Sequence, residues 1–357
     1  MTIQIRDGLT FSDVLLEPKY STIKSRSEID LNVKLSKGLS FKFPLIPANM
    51  KTITGPEMAI EIASLGGLAI LHRFMSIEEQ LSIAKSYIKE AFNHIGFSIG
   101  IKSFDHESVD MFASLGVKIL CIDIAHGDSL QCIEMAKYIA EKYPDIFLIA
   151  GNVATAEGAR RLWLAGADCV KVNIGAGSTC STRIETGNGV PQLTALSDVY
   201  DERILLQEPT MKLINGEWQQ CGASTISKPI FIIADGGCVN AGDCVKSLCF
   251  GDMVMTGNLF AATDETPGDI LQVDGQNYKS YVGSSTHKTN HIEGVAAIVP
   301  TKGPVKNVIE KLCQGIKSGL SYQGASNLDD LKKNPKFIRI THAGLIESHP
   351  HDVKVVK

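Results

Sequence analysis

The chain has 357 residues, of which 44% are hydrophobic and 21% are charged, and its formal net charge is −4. Such a composition is typical of a soluble globular protein with a large core. Lysine and arginine residues are spread along the sequence rather than clustered, which argues against nucleic acid or another polyanion as a partner.

The sequence also disfavours a membrane span and a disulfide framework. No window approaches the ~18 apolar residues needed to cross a bilayer, and the first residues lack the pattern of a signal peptide. The nine cysteines form no C-x-x-C pair and no zinc-ligand spacing, so we expect reduced thiols. These features predict a cytoplasmic protein without a membrane partner.

Eight short apolar runs of the kind that form buried strands recur along the chain. They begin at Phe43, Gly67, Phe97, Ile119, Phe147, Cys169, Ile230 and Met253. Between most of them lie segments with the apolar spacing of a helix. The clearest of these segments are residues 57–66, 128–145 and 156–167.

This alternation predicts the fold class. Strands that alternate with helices imply a parallel sheet, because each crossover returns the chain to the same edge. Eight such units predict an α/β fold of the TIM (β/α)8 barrel type, in one domain over residues 1–357. An open doubly wound sheet is the alternative, but it would carry a G-x-G-x-x-G fingerprint after its first strand, and that is missing.

Four segments lie outside the repeat. We expect residues 201–223 to be an irregular surface excursion. We expect residues 276–304 to be a polar loop that forms a lid or is disordered. The segments are an N-terminal extension (1–40), an insertion (201–223), a flap or lid region (276–304) and a C-terminal helix with a tail (305–357).

Polar residues and glycines follow the apolar core of most runs. In a (β/α)8 barrel these strand ends lie on one face, where active sites are built. One polar residue in such a place is commonly a turn former, whereas a ring of them predicts a site. The ring consists of Asn49, Met50, His72, Arg73, Asp123, His126, Asn152, residues 175–180, Asp235, Gly236, Gly237, Gly257 and Asn258.

The segment "NIGAGSTCSTRIETGNG" (residues 173–189) carries the strongest chemical signal. Its glycines permit positive φ and close backbone approach, and its free amides can form a cradle for a phosphate. Its carbonyls could instead surround a monovalent cation. Cys180 lies among hydroxyl residues rather than in an apolar run, and the residues alone leave open whether it is a nucleophile or a structural thiol.

Four motifs resemble one family, the IMP dehydrogenases and GMP reductases, over nearly the full chain. They are "GLTFSDVLLEP", "GAGSTCSTR", "IADGGCVNAGD" and "YKSYVGSS". The resemblance implies a barrel fold and a thioimidate between Cys180 and C2 of a purine nucleotide. It also implies that Thr182 and Glu265 together manage the departure of an amino group.

The resemblance assigns further roles position by position. The implied catalytic residues are Cys180, Thr182, Glu265 and Arg73. The implied nucleotide contacts are Met50, Ser178, Asp235, Gly236, Gly237, Gly257, Asn258, Tyr281, Gly283, Ser284 and Glu293. The implied dinucleotide contacts are Asp123, Ile124, Ala125 and Asn152. The implied potassium ligands are Gly175, Gly177 and Cys180.

Several features distinguish the two branches of the family. Dehydrogenases activate a hydrolytic water with an Arg-Tyr pair on a flap, but this chain has no arginine between Arg203 and Arg339. The segment before the third strand has room for one helix and not for the inserted CBS domain pair. The tail "FIRITHAGLIESHPHDV" resembles a dehydrogenase instead, in which Glu347, Ser348 and His349 would complete a neighbouring subunit's potassium site.

We therefore expect an NADPH-dependent GMP reductase that releases IMP and ammonia, with possible bound potassium and a homotetrameric assembly. One alternative is an IMP dehydrogenase without CBS domains, which would oxidise IMP to XMP with NAD. A second is a catalytically silent barrel that binds purine nucleotides. Lys51 and Asn258, which depart from the family pattern, motivate the second alternative.

Overall fold

A parallel eight-stranded sheet forms the centre of the molecule. The computed structural model describes residues 3, 5–87, 89–209, 211–214, 217–220, 223–283 and 294–353. The strands are β1 (Leu45–Pro47), β2 (Ala69–Leu71), β3 (Ile95–Ile99), β4 (Ile119–Asp123), β5 (Phe147–Val153), β6 (Cys169–Val172), β7 (Phe231–Asp235) and β8 (Met253–Thr256). They pair in the order β1-β8-β7-β6-β5-β4-β3-β2, so the last strand of this sheet, β8, lies against its first, β1. The predicted (β/α)8 barrel, nearly closed, is confirmed.

Helices connect successive strands. They are α1 (Pro56–Ser64), α2 (Ile77–Ser86), α3 (Ser103–Ser114), α4 (Leu130–Lys142), α5 (Ala156–Leu164), α6 (Thr182–Thr186), α7 (Gln192–Gln207) and α8 (Ala241–Leu248). Polar caps fix where several of them begin: the side chains of Ser76, Thr155 and Asn240 each accept a backbone N–H from the first turn. Between α2 and β3 the chain forms only a 3-10 helix, Lys89–Asn93, so no domain pair is inserted there.

The strands are buried on both sides. Every residue of β1, β2, β3, β6 and β8 is buried. This is expected for parallel strands that face the barrel interior on one side and helices on the other. A charged residue inside such a strand is therefore exceptional, and β6 contains one, Lys171.

The two ends of the chain pack together outside the barrel. The strand Val14–Leu16 pairs antiparallel with Phe337–Arg339, and Val33–Lys34 pairs with Ser40–Phe41. The C-terminal part also contains α9 (Val305–Tyr322), α10 (Leu328–Leu331) and α11 (His342–Glu347). None of the helices in the described part of the chain is long and apolar enough to cross a membrane.

Two segments differ from their sequence prediction. Residues 201–207 continue α7 rather than starting an irregular insertion, because Arg203 and Leu206 are buried, with Arg203 paired to Asp252. A hairpin follows, with strands Met211–Ile214 and Glu217–Gln220. In the predicted polar loop, the strands Gln276–Val282 and Ala296–Pro300 pair antiparallel, and Leu271–Val273 adds a third strand. Residues 284–293 of that loop lie outside the described residues.

Candidate active site

A cavity of about 400 Å³ opens where the barrel strands end. Its size falls in the ~300–1,000 Å³ range of small-molecule sites. The structure brings most of the predicted site residues into its lining. These are Met50, Arg73, Asp123, Ile124, Ala125, Asn152, Gly175, Gly177, Cys180, Thr182, Asp235, Gly236, Gly257, Tyr281 and Gly283.

The loop after β6 places Cys180 at this cavity. The amide of Ala176 donates to Asn173 Oδ1 at 2.8 Å, and the amide of Cys180 donates to the Gly177 carbonyl at 3.1 Å, which turns the loop back on itself. Gly175 adopts a φ of +86°, a region that favours glycine. Helix α6 begins two residues after Cys180, so the cysteine lies in a tight turn before a helix.

The Cys180 thiol contacts a hydroxyl. Its Sγ donates to Thr182 Oγ1 at 3.2 Å. Among the cysteines that the structure describes, Cys180 is the exposed one, whereas burial raises the pKa of Cys121 and Cys132 to about 12. Among the described residues, the site therefore offers one accessible thiol, with a hydroxyl in hydrogen-bond contact.

A buried ammonium joins the carboxylates at the ends of β4 and β7. Lys171 Nζ donates to Asp123 Oδ1 at 2.8 Å and lies 3.3 Å from Asp235 Oδ2. It also donates to Asn49 Oδ1 at 3.2 Å, and Asn152 Nδ2 donates to Asp235 Oδ2 at 2.8 Å. The side chains of Asp123 and Asp235 are still 18% and 15% exposed, so both reach the cavity.

The charges of this cluster support one another. Burial alone would lower the pKa of Lys171, but Asp123 and Asp235 raise it above its ordinary value. Burial alone would raise the pKa of Asp123, but Lys171 and Arg73 lower it below its ordinary value. Lys171 and Asp123 are thus both charged at neutral pH.

Close backbone approaches shape the wall opposite Cys180. A Cβ on Gly257 would clash with the Tyr281 hydroxyl and lie 3.2 Å from Met50 Sδ. A Cβ on Gly236, whose φ is +84°, would lie 2.9 Å from Asn173 Nδ2. Both positions therefore require glycine.

Tyr281 reaches the cavity from the strand Gln276–Val282, which a second buried lysine holds in place. Lys279 Nζ donates to the backbone carbonyls of Thr263, Asp264 and Thr266 at 3.1, 2.9 and 2.8 Å. Burial raises the pKa of Tyr281 above its ordinary value, so its hydroxyl keeps its proton. The strand thus presents a neutral hydrogen-bond donor to the cavity.

Several predicted residues lie elsewhere. Glu265 lines a separate cavity of about 660 Å³, and its Oε2 accepts the backbone N–H of Val305 at the start of α9. The expected pair with Thr182 is therefore not assembled, because Glu265 serves as a helix cap. Ser178, Gly237 and Asn258 flank the Cys180 cavity without lining it.

Ser284 and Glu293, which the sequence assigns to the nucleotide, lie outside the described residues. The predicted potassium ligands share one loop, but the Gly177 carbonyl already accepts the Cys180 amide, so the cation stays a prediction. In the described part of the chain, no group of three or more His, Cys, Asp or Glu side chains could hold a metal ion.

The sequence did not predict a role for Lys171, whose ammonium contacts the side chains of Asp123, Asn49 and Asp235. Its signal was visible: a lysine in the centre of the apolar run "CVKV" can be buried only beside a counter-charge. Thr179, which lines the cavity next to Cys180, belongs to the predicted ring of strand-end residues, although the sequence assigned it no role of its own.

Comparisons with known proteins agree with this geometry. Residues 8–351 match the family described as the IMP dehydrogenase / GMP reductase domain. The chain is 36% identical to the inosine-5'-monophosphate dehydrogenase of Borreliella burgdorferi, over 98% of each chain. It is 37% identical to a GMP reductase of Streptococcus agalactiae, over 90% of this chain and 92% of the relative.

A solved structure is similar as well. A cysteine-to-alanine variant of GMP reductase from Trypanosoma brucei, in complex with guanosine 5'-monophosphate, superposes with a TM-score of 0.85. The two chains are 26% identical, and the alignment covers 98% of this chain and 99% of the other. Sequence and structure together show that this chain belongs to the IMP dehydrogenase/GMP reductase family of oxidoreductases.

Proposed function

We propose that this family member is a GMP reductase, which converts GMP and NADPH into IMP, ammonia and NADP. The observation that carries the proposal is the 3.2 Å contact between the Cys180 thiol and the Thr182 hydroxyl. A hydroxyl beside the reacting sulfur suits the protonation of a departing amine. No arginine between Arg203 and Arg339 is present to activate a hydrolytic water instead.

The nucleotide would lie across the ends of β6, β7 and β8. Asp235, which lines the cavity, would accept hydrogen bonds from the ribose hydroxyls, and the backbone at Gly236 and Gly257 with the hydroxyl of Tyr281 would bind the phosphate. The similar Trypanosoma brucei structure contains GMP, which supports a purine nucleotide as the ligand here.

The reaction begins when the Cys180 proton passes to the Thr182 hydroxyl and Sγ bonds to C2 of GMP. The C2–N bond then breaks, and the amino group takes up that proton through the Thr182 hydroxyl and leaves as ammonia. Hydride from NADPH adds to C2 and the C2–S bond breaks, which releases IMP and leaves Sγ as a thiolate. The thiolate takes up one proton from solvent, so C2 is reduced, NADPH is oxidised and the thiol is restored.

The dinucleotide would occupy the β4–β5 side of the cavity. Asp123 is the kind of carboxylate that binds a ribose, and Ile124, Ala125 and Asn152 line the same wall. Arg73 donates from Nε to the Asp123 carbonyl at 2.8 Å and adds a positive charge at this side. Reduced nicotinamide bound there supplies the hydride. NADPH rather than NADH, bound potassium, a cytoplasmic location and a homotetramer belong to the same proposal.

IMP dehydrogenase is the second candidate. The full-length similarity to the Borreliella burgdorferi enzyme and the tail around Glu347 favour it. In that reaction, IMP would lose hydride to NAD from the same Cys180 adduct, and water would then release XMP.

Paired assays separate the candidates. Purified protein with GMP and NADPH should lose absorbance at the nicotinamide band and release one ammonia per NADPH, with and without potassium. The Cys180→Ala variant should bind GMP without turnover. NADH formed from IMP and NAD, without consumption of NADPH by GMP, would overturn the reductase assignment. GMP binding without either turnover would indicate the silent barrel.

A further inference from the structure

Lys171 is buried to an unusual degree for a charged residue. It lies within β6, and its side chain is only 2% exposed. Its ammonium has three oxygen partners at 2.8–3.3 Å, on Asp123, Asn49 and Asp235. A lysine placed there costs desolvation free energy, which its partners must offset.

The two carboxylates that share this ammonium belong to different walls of the cavity. Asp123 ends β4, and Asp235 ends β7, the strand next to β6. Under the proposed function, Asp235 contacts the purine nucleotide and Asp123 contacts the dinucleotide. Lys171 is therefore the charge common to both ligand sites.

We propose that Lys171 is a positioning residue on which both binding sites depend. Its ammonium keeps Asp123 ionised and fixes the carboxylate oxygen that it contacts in Asp123 and in Asp235, so that both residues can accept hydrogen bonds from ribose hydroxyls. The proposal rests on the proposed function only for where the two ligands lie, and the IMP dehydrogenase reaction would place them in the same way.

The groups around the two carboxylates explain why Lys171 is their main counter-charge. Asp123 faces Lys171, the Arg73 guanidinium and the Cys121 thiol. Asp235 faces Lys171, the Asn152 amide and the Tyr281 hydroxyl. Without Lys171, none of the cations among the described residues would contact Asp235, and two mostly buried carboxylates would repel each other across one space. At least one would then take up a proton near neutral pH.

The test compares Lys171→Met with Lys171→Arg across pH 6 to 8.5. We expect Lys171→Met to raise KM for the nucleotide and for the dinucleotide by about tenfold each at pH 7. The penalty should shrink as pH rises, because the carboxylates regain their charge, while the wild-type KM values stay flat. Lys171→Arg keeps the cation and should recover most of both affinities without the pH dependence.

A matched control is Lys228→Met. Lys228 pairs with Asp168 at 3.0 Å, at the opposite end of β6. Removing it should lower the melting temperature and leave both KM values unchanged. A pH-independent penalty in Lys171→Met, or a rise in only one KM, would overturn the proposal.

A second variant keeps the proposal testable if Lys171→Met folds poorly. In Lys171→Met with Asp123→Asn, the repulsion is gone, so nucleotide affinity should return toward wild type while dinucleotide affinity stays weak. No recovery would count against the proposal. Dissociation constants for GMP and for NADPH, measured by calorimetry, serve beside KM. Turnover by the wild-type enzyme tests the proposed reaction, whereas the variants test the role of Lys171. A failure of the proposed function can therefore be distinguished from a failure of the proposal for Lys171.

Discussion

At the scale of single residues, exposure and one neighbour give Cys180 its chemistry. Cys121 and Cys169 are buried in strands, and burial raises the pKa of Cys169 well above its ordinary value. Cys180 is exposed and contacts Thr182. A thiol needs both accessibility and a proton-accepting neighbour to act as a nucleophile. Under the proposed function, the same hydroxyl would then return a proton to the leaving group.

Replacing Thr182 tests this second role. Thr182→Val keeps the side-chain shape and removes the hydroxyl, so we expect kcat for GMP reduction to fall by about 100-fold, as for loss of a general acid. KM for GMP should change little. Thr182→Ser restores the hydroxyl and should recover most of kcat. A Thr182→Val enzyme that releases ammonia at the wild-type rate would remove Thr182 from the mechanism.

At the scale of elements, the strand Gln276–Val282 shows how the fold places a side chain in the lining of the cavity. Side chains along a strand alternate between its two faces, so Lys279 and Tyr281 point the same way. Both are buried. Lys279 attaches the strand to the segment after β8 through three carbonyls, and this attachment fixes the position of Tyr281 beside Gly257.

Lys279→Met should disturb the strand and the nucleotide site together. The change removes the ammonium donor from three carbonyls, of which those of Thr263 and Thr266 belong to buried residues, and this loss costs about 1–3 kcal/mol of unfolding free energy. KM for GMP should rise, because Tyr281 loses its support, while KM for the dinucleotide should stay near wild type. The exposed Lys306 offers a matched control, and Lys306→Met should change neither quantity. Urea unfolding and steady-state kinetics measure both effects.

The sequence predicts the secondary structure of some elements better than that of others. The eight barrel strands were predictable because each is a short apolar run buried on both faces. The strand Gln276–Val282 was predicted as a loop, because its inward face carries Lys279, which only the carbonyls of distant residues can satisfy. The family resemblance assigned Glu265 to the leaving group, whereas its partner in the structure, the Val305 amide, lies 40 positions away in the chain and has no local sequence signal.

At the scale of the whole molecule, ion clusters lie at both ends of the barrel. The cluster around Lys171 lies at the carboxyl ends of the strands, where barrel active sites are found. At the amino ends, Asp168 pairs with Lys37 and Lys228, and Asp252 pairs with Arg203 and Lys332. Charges at that end stabilise the closed sheet without facing the site.

We expect Asp252 to contribute to the stability of the fold and not to ligand binding. Burial alone would raise the pKa of Asp252, but Arg203 and Lys332 lower it below the ordinary value. The ionised carboxylate therefore contributes most to the free energy of unfolding above pH ~4. Asp252→Asn leaves two cations without their counter-charge and should lower the free energy of unfolding at pH 7 by about 3 kcal/mol. The difference from wild type should shrink as pH falls below ~4, because wild-type Asp252 then becomes protonated and loses its pairing.

Equilibrium urea unfolding at pH 7 and pH 3 measures this change. The exposed Asp329 provides the control, and Asp329→Asn should stay within ~0.5 kcal/mol of wild type at both pH values. Both KM values of Asp252→Asn should match wild type, because the residue lies at the end of β8 away from Cys180. A loss of stability that is equal at the two pH values would mean that packing, not charge, is what Asp252 contributes. A changed KM would mean that the two ends of the barrel are coupled through the strands.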